Sequence, residues 1–206
     1  MSLELAGRVR VWERAVPRSQ CLATIRAMEV ADALVGTVLR HGSDQADPRL
    51  RACSEHLLGG DRAAVVAGAL SACARESLAG AAPGSPAALD GPKFCRYVPG
   101  QFFRAHRDRS GDPLDPAVVR ARVLSLVCLL NDTDPSDGLP VFDGGALVIH
   151  LPRSDGSVTP ENLSPAAGSI VAFPADQLHE VRPIRSGVRY SAIAWVYHPG
   201  GLEEDR

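Results

Sequence analysis

Lysine is almost missing from this chain. Lys93 is the single one, and arginine carries nearly all the positive charge. Acid and base come close to balance, at a net charge of −2 and a pI of about 6.3. That leaves no basic footprint for nucleic acid. No apolar run approaches the roughly 20 residues of a bilayer-spanning helix; the longest weakly polar stretch covers only residues 63–74. The start shows no apolar signal segment. The five cysteines (21, 53, 73, 95 and 128) form no CxxC and lie mostly in apolar stretches. An odd, unpatterned set argues against a disulfide framework and for buried, reduced thiols in a cytoplasmic protein. Internal repeats and charged tails are absent too. The 206 residues suffice for one domain with a sizeable core.

What is present changes character near residue 90. Before it the pattern is helical, after an opening alternation at Arg8-Val-Arg-Val-Trp12. Leu22, Ile25, Met28, Ala31, Val35 and Val38 recur at three or four, which predicts an amphipathic helix over residues 19–40. Asp47-Pro48 reads as the start of a short helix closed by Gly59-Gly60, and Asp61 as the cap of a longer one to about Leu78. Residues 82–87, Ala-Pro-Gly-Ser-Pro-Ala, read as a loop. Beyond it come short β-rich runs broken by Gly, Pro, Asp and Asn, at about 94–104, 120–130, 145–151, 157–160, 169–173, 179–184 and 188–197. The expectation is a mainly β protein with N-terminal helices, its core a double-stranded β-helix or jelly roll. Residues 1–206 form one domain, with 1–90 a helical support region and 91–200 the catalytic core.

The most informative segment is Tyr97-Val-Pro-Gly-Gln-Phe-Phe-Arg-Ala-His106-Arg-Asp108. His106 and Asp108 stand two apart in a strand-like run, so they share a face. Some seventy residues on, Phe173-Pro-Ala-Asp-Gln-Leu-His179 supplies a second imidazole. Two His and one carboxylate make the facial triad of non-haem Fe(II) sites, with three positions open; zinc can use the same ligands. Ten residues after His179 comes Arg189, within an alternating β-forming run that ends at Trp195. A buried Arg is costly unless an anion meets it, and its planar fork suits a carboxylate. A triad plus an inward Arg points to a dicarboxylate bridging the two. Arg182 and Arg185 compete for this role but sit in a turn-like, solvated stretch.

On these pieces the chain resembles the 2-oxoglutarate- and Fe(II)-dependent dioxygenases, specifically the prolyl-4-hydroxylase-like branch. The matching pieces follow the family's order. They are Arg96-Tyr97-Val-Pro-Gly-Gln-Phe, His106-Arg-Asp108, and Leu124-Ser-Leu-Val-Cys-Leu-Leu-Asn131. Then come Asp143-Gly-Gly-Ala-Leu-Val-Ile149, Pro165-Ala-Ala-Gly168 through Phe173-Pro, His179-Glu-Val-Arg-Pro183, and Gly187-Val-Arg189 through Trp195. One departure is Ala146, where the family often has Glu.

The resemblance implies a jelly roll that binds Fe(II), 2-oxoglutarate and O2 and hydroxylates an unactivated C–H, releasing succinate and CO2. It implies His106, Asp108 and His179 as metal ligands and Arg189 as the anchor of the cosubstrate's far carboxylate. Tyr97 would donate a hydrogen bond near the cosubstrate. Strand alternation puts Ser191 and Trp195 on the face of Arg189, Ser191 to bond the same carboxylate and Trp195 to pack near the metal. Related halogenases lack the carboxylate ligand, so Asp108 implies oxygen transfer.

The expected partner is a small-molecule substrate, a free amino acid or natural-product intermediate. A prolyl-type peptide residue is the alternative, and a zinc-bearing or non-catalytic jelly roll the other class. His41, His56, His150 and His198 have no ligand-like context, with His150 structural or at the cavity rim. The loop over residues 109–117 follows the carboxylate and can serve as a lid. The acidic loop over 132–137 is expected to border the site and to hint at a cationic substrate group.

Overall fold

The computed structural model describes residues 2–5, 8–79, 88–135, 138–153 and 155–197. The loop expected at 82–87 and His198 lie outside the described residues. In chain order the elements open with β1 (Ser2–Leu5), β2 (Val9–Trp12), α1 (Arg18–Val30), β3 (Ala33–Val35), β4 (Val38–Arg40) and β5 (Ser43–Gln45). Next come β6 (Arg51–Ala52), β7 (Ser54–His56), α2 (Asp61–Leu78), β8 (Ala88–Tyr97), β9 (Phe102–His106), α3 (Ala117–Arg120) and β10 (Arg122–Leu129). The chain continues through β11 (Phe142–Gly144), β12 (Leu147–Pro152), β13 (Val158–Leu163), β14 (Ile170–Pro174), β15 (His179–Val181), β16 (Ile184–Gly187) and β17 (Arg189–Tyr197).

A large antiparallel sheet, in the order β1-β2-β14-β10-β17-β8-β7-β3, faces a smaller one, β13-β12-β15-β9-β6. This is the expected double-stranded β-helix. Alternation along β17 sorts its two faces. Tyr190, Ala192, Ala194 and Val196 turn outward into a cluster with Ile25 and Met28 of α1 and Val66 and Leu70 of α2. Arg189, Ser191, Ile193 and Trp195 turn inward and line a cavity between the sheets. The closed end of the sandwich is apolar, with Val9, Val127, Leu129, Leu147, Ile149, Val171 and Phe173 in contact. The helices therefore seal one sheet, and the open end between the sheets is left for chemistry.

Two N-terminal readings are corrected. The expected helix over 19–40 stops at Val30, and β3 and β4 follow. Val35, Thr37 and Val38 lose χ1 freedom in a helix, and Gly36 packs closely on Cys53, between β6 and β7. A Cβ there would stand 2.4 Å from Cys53 Sγ. The short helix after Asp47-Pro48 is instead one turn, with Arg51 N–H donating to Asp47 O at 2.9 Å. Residues 51–56 then pair as strands with β9 and β8. Sheet pairing outweighs the local capping signal there. The longer helix, α2, ends at Leu78 as expected, but Gly60 rather than Asp61 stands at its cap, with Asp61 the first helical residue; all five cysteines are buried thiols. The β run at 94–104 divides at a turn, with Gln101 N–H donating to Val98 O. Its halves enter different sheets.

Candidate metal centre and its cavity

His106 ends β9 and His179 begins β15, and the two residues are directly paired across these strands. Between that pair and Val181↔Phe103, β9 carries one extra residue. Such a bulge re-aims side chains, and here it puts Phe103 on the face of His106, their rings stacked at 3.5 Å. Asp108 lies just past β9, with its N–H and that of Arg109 both donating to Ala175 O at 2.9 Å. The three side chains converge. His106 Nε2 stands 3.5 Å from Asp108 Oδ1, and His179 Nε2 stands 3.5 Å from Asp108 Oδ2. Their candidate ligand atoms all lie within 4.8 Å of one another.

The protonation states suit a cation. His106 Nδ1 lies 2.8 Å from Arg104 O, and His179 Nδ1 lies 2.9 Å from Gln177 O. A carbonyl only accepts, so each Nδ1 carries a hydrogen and each Nε2 is the atom turned toward Asp108. Burial pushes the His179 imidazole down to about 4, only partly opposed by Asp108, so it is neutral near pH 7. Burial acts to raise the Asp108 carboxyl. His179, His106 and the Ser125 hydroxyl outweigh it and hold the group well below the usual carboxylate range. Two imidazoles and one carboxylate facing one point make a donor set for a divalent metal.

The same cavity, of about 610 Å3, reaches Arg189. That side chain is 1% exposed, and among the described residues its Nε and Nη2 have no partner. Its Nη1 donates to Ser191 Oγ at 3.0 Å. Among the described residues no carboxylate pairs with it, and burial lowers its pKa. Orphaned buried N–H groups facing a cavity are a receptor for an anion. Tyr97 sits directly opposite Arg189 in the β8–β17 register, its ring 5.5 Å from the guanidinium carbon. Burial pushes the Tyr97 phenol up, so it stays a hydrogen-bond donor. Arg182 and Arg185, by contrast, are 50% and 71% exposed and paired with Glu180 and Asp143.

Trp195 lines the cavity and carries the Arg122 guanidinium 3.8 Å over its ring. Arg122 also bonds Asp90 Oδ2 at 2.6 Å and Asp108 O at 3.2 Å. Sequence reasoning passed over Arg122, Ser125 and the buried Arg51. Each shows only as one more residue of a strand, with no motif to set it apart.

The loop over 109–117 does frame the mouth, through Arg109, Ser110, Asp115 and Pro116. It is tied to the β4–β5 hairpin opposite. Gly42 N–H donates to Asp115 Oδ1 at 2.8 Å, and His41 Nδ1 lies 2.9 Å from Asp112 Oδ2. The described part of the acidic loop does not frame it. None of residues 132–135 lines the cavity. Asp132 instead accepts from Arg18 and from Ala167 N–H, tying the loop to α1. The hint of a cationic substrate group falls with it. His56 bonds Ser54, and His150 faces Glu180 rather than the cavity.

Comparison with known proteins agrees with this geometry. The 2OG-Fe(II) oxygenase superfamily profile matches residues 92–197. A PKHD-type hydroxylase of Sphingopyxis alaskensis is 32% identical over 111 residues, covering 54% of this chain and 45% of that protein. The chain thus aligns with less than half the length of that relative. A Trichoplax adhaerens prolyl hydroxylase, solved with a hypoxia inducible factor peptide fragment, superposes with a TM-score of 0.73 at 15% identity. It covers 98% of this chain and 88% of its own. A Pseudomonas putida prolyl-4-hydroxylase gives a TM-score of 0.66 at 23% identity and 92% coverage of both chains. These two share the jelly-roll fold.

Proposed function

Because the chain belongs to the 2OG-Fe(II) oxygenase superfamily, we propose that His106, Asp108 and His179 hold one Fe(II) and that Arg189 receives the far carboxylate of 2-oxoglutarate. The carrying observation is one cavity with a three-donor cluster and a buried Arg whose free N–H groups have no partner. Fe(II) held there would supply O2 activation coupled to 2-oxoglutarate decarboxylation, giving a hydroxylated substrate, succinate and CO2. The protein's own residues do the placing. Backbone carbonyls fix both imidazoles, and Ser125 holds Asp108. Tyr97 and Ser191 flank Arg189, the Ser191 oxygen accepting its Nη1 hydrogen and its own hydroxyl left to donate to the cosubstrate. Trp195 and Arg122 wall the cavity beside Asp108. A zinc site without turnover would have no use for Arg189.

The whole chain would act as one oxygenase domain, and its buried thiols suit a reducing cytoplasm. No described helix is long and apolar enough to cross a membrane.

For substrate, the reading is a free amino acid or other small metabolite. A cavity of about 610 Å3 lies in the small-ligand range of roughly 300–1,000 Å3, and a tied hairpin borders its mouth. Arg104 at the rim stacks on Phe102, and among the described residues no carboxylate pairs with it, so an amino acid's carboxylate would find a cation. The name of the Sphingopyxis relative favours a second reading, hydroxylation of a peptide residue. Succinate release above the substrate-free rate, across matched free amino acids and peptides, separates the two. Stimulation by peptides alone would overturn the first.

A further inference from the structure

We infer that Asn131 is a positioning residue for Arg189, and so sets affinity for the cosubstrate without touching it. The inference rests on the reading that Arg189 receives the 2-oxoglutarate carboxylate. Asn131 lies two residues past the end of β10 and is fully buried, at 0% exposure. The β10–β17 register runs to Leu129↔Ser191, and Leu130 N–H still donates to Tyr190 O at 3.0 Å. There the backbone leaves the sheet, and the Asn131 carboxamide takes over as a peptide group would. Its Oδ1 accepts from Tyr190 N–H at 2.8 Å, and its Nδ2 donates to Val188 O at 2.7 Å. Those bonds fall on the residues either side of Arg189.

Nδ2 also donates to Pro140 O at 2.7 Å. Pro140 leads into β11 and Gly144-Gly145, which wall the arginine's stem: a Cβ on Gly145, at φ +60°, would stand 3.0 Å from Arg189 Cδ. One amide therefore pins both the strand that carries Arg189 and the segment that confines it. Both donors and the acceptor oxygen are engaged.

Among the described residues the guanidinium bonds Ser191 alone, so its aim comes from the backbone beneath it. A receptor loses affinity when its groups drift by about 0.5 Å. Removing the amide takes this partner from the buried Tyr190 N–H and from the part-buried Val188 O and Pro140 O, and the strand start is free to shift. None of these bonds reaches the triad, whose histidines belong to the smaller sheet. The consequence is a split between cosubstrate and metal affinity.

The test is anaerobic calorimetry on the full chain loaded with Mn(II) or Fe(II) and titrated with 2-oxoglutarate. Asn131→Ala and Asn131→Ser are to raise the 2-oxoglutarate Kd about tenfold, with metal affinity within about twofold of wild type. In substrate-free succinate formation the KM for 2-oxoglutarate is to rise while kcat holds. Asp132→Asn is the control, because its side chain bonds Arg18 and Ala167 and lies on the same loop. It is to lose thermal stability and keep its Kd. Should Asn131→Ala not fold, Asn131→Ser retains one donor and one acceptor. Amide exchange in the wild type adds an independent reading, since Tyr190 N–H must slow when 2-oxoglutarate saturates the protein. An unchanged Kd in a folded Asn131 variant, an equal rise in Asp132→Asn, or an unresponsive Tyr190 amide overturns the inference. Arg189→Ala in the same series tests the premise. If it binds 2-oxoglutarate as wild type does, the reading of Arg189 fails rather than that of Asn131.

Discussion

The Ser125 hydroxyl donates to Asp108 Oδ2 at 2.6 Å, from β10 of the large sheet to a residue that follows β9 of the small one. This bond fixes the carboxylate of the donor set across the mouth of the sandwich. Partners of metal ligands typically matter about 10–100-fold in affinity. Ser125→Ala is expected to weaken Fe(II) binding by that order while the fold survives, as read by anaerobic metal titration and thermal denaturation. Unchanged Fe(II) affinity would mean that the backbone bonds to Ala175 O alone hold Asp108.

Arg189 is the cation to which the cosubstrate is assigned. Breaking a buried charge pair costs roughly 3–5 kcal/mol, so Arg189→Ala should raise the 2-oxoglutarate Kd on the order of a hundredfold or more. Arg182→Ala and Arg185→Ala should change it little, because both side chains are exposed and paired elsewhere. A large effect at Arg182 or Arg185 and none at Arg189 would put the receptor at the other end of the strand pair.

The β4–β5 hairpin is tied across the cavity through Gly42 N–H and Asp115. Asp115 is only 7% exposed and also accepts from Ser110 Oγ at 2.5 Å. Asp115→Ala should release the hairpin tip. Tryptic cleavage after Arg40 is then expected to be several-fold faster, since cleavage follows the population of the open state. Substrate KM should rise with it, with 2-oxoglutarate affinity unaltered. Wild-type cleavage rates in Asp115→Ala would show that β4 and β5 hold the hairpin without the tie.

Acid should destabilise the metal-free chain in two stages. His179 titrates at about 4 when folded, against ~6.5 for an unfolded histidine. Between those values the unfolded chain binds more protons, so stability falls as pH falls. Asp108, held below the usual carboxylate range, adds a further loss below about 3.9, where the unfolded carboxylate takes a proton. Urea midpoints at pH 7, 5.5 and 4.5 measure the first stage. His179→Gln should flatten that slope, and an identical slope in both proteins would place the titrating group elsewhere.

Much of this site could be read from the residues, for a physical reason. His106, Asp108, His179 and Arg189 sit in or beside strands, where a period of two dictates facing, and short Gly/Pro punctuation makes the strands visible. Pairing between distant segments is not written locally. Residues 33–40 continue a helix-compatible periodicity and residues 51–56 follow a capping dipeptide, Asp47-Pro48, yet β8 and β9 recruit 51–56 into the sheets. The acidic loop misled for a similar reason, since Asp132 is spent on Arg18 and Ala167 N–H. Arg122, Ser125 and Asn131 escaped notice because their work is done through partners far away in sequence.

The central claim is that His106, Asp108 and His179 act together as one iron site. Anaerobic Fe(II) titration, followed by succinate assay in air with 2-oxoglutarate, tests it on wild type, His106→Ala, Asp108→Ala and His179→Ala. The account predicts one Fe(II) per wild-type chain and 2-oxoglutarate-dependent succinate, with both lost in each folded variant. Full Fe(II) binding and succinate formation in His179→Ala would contradict it.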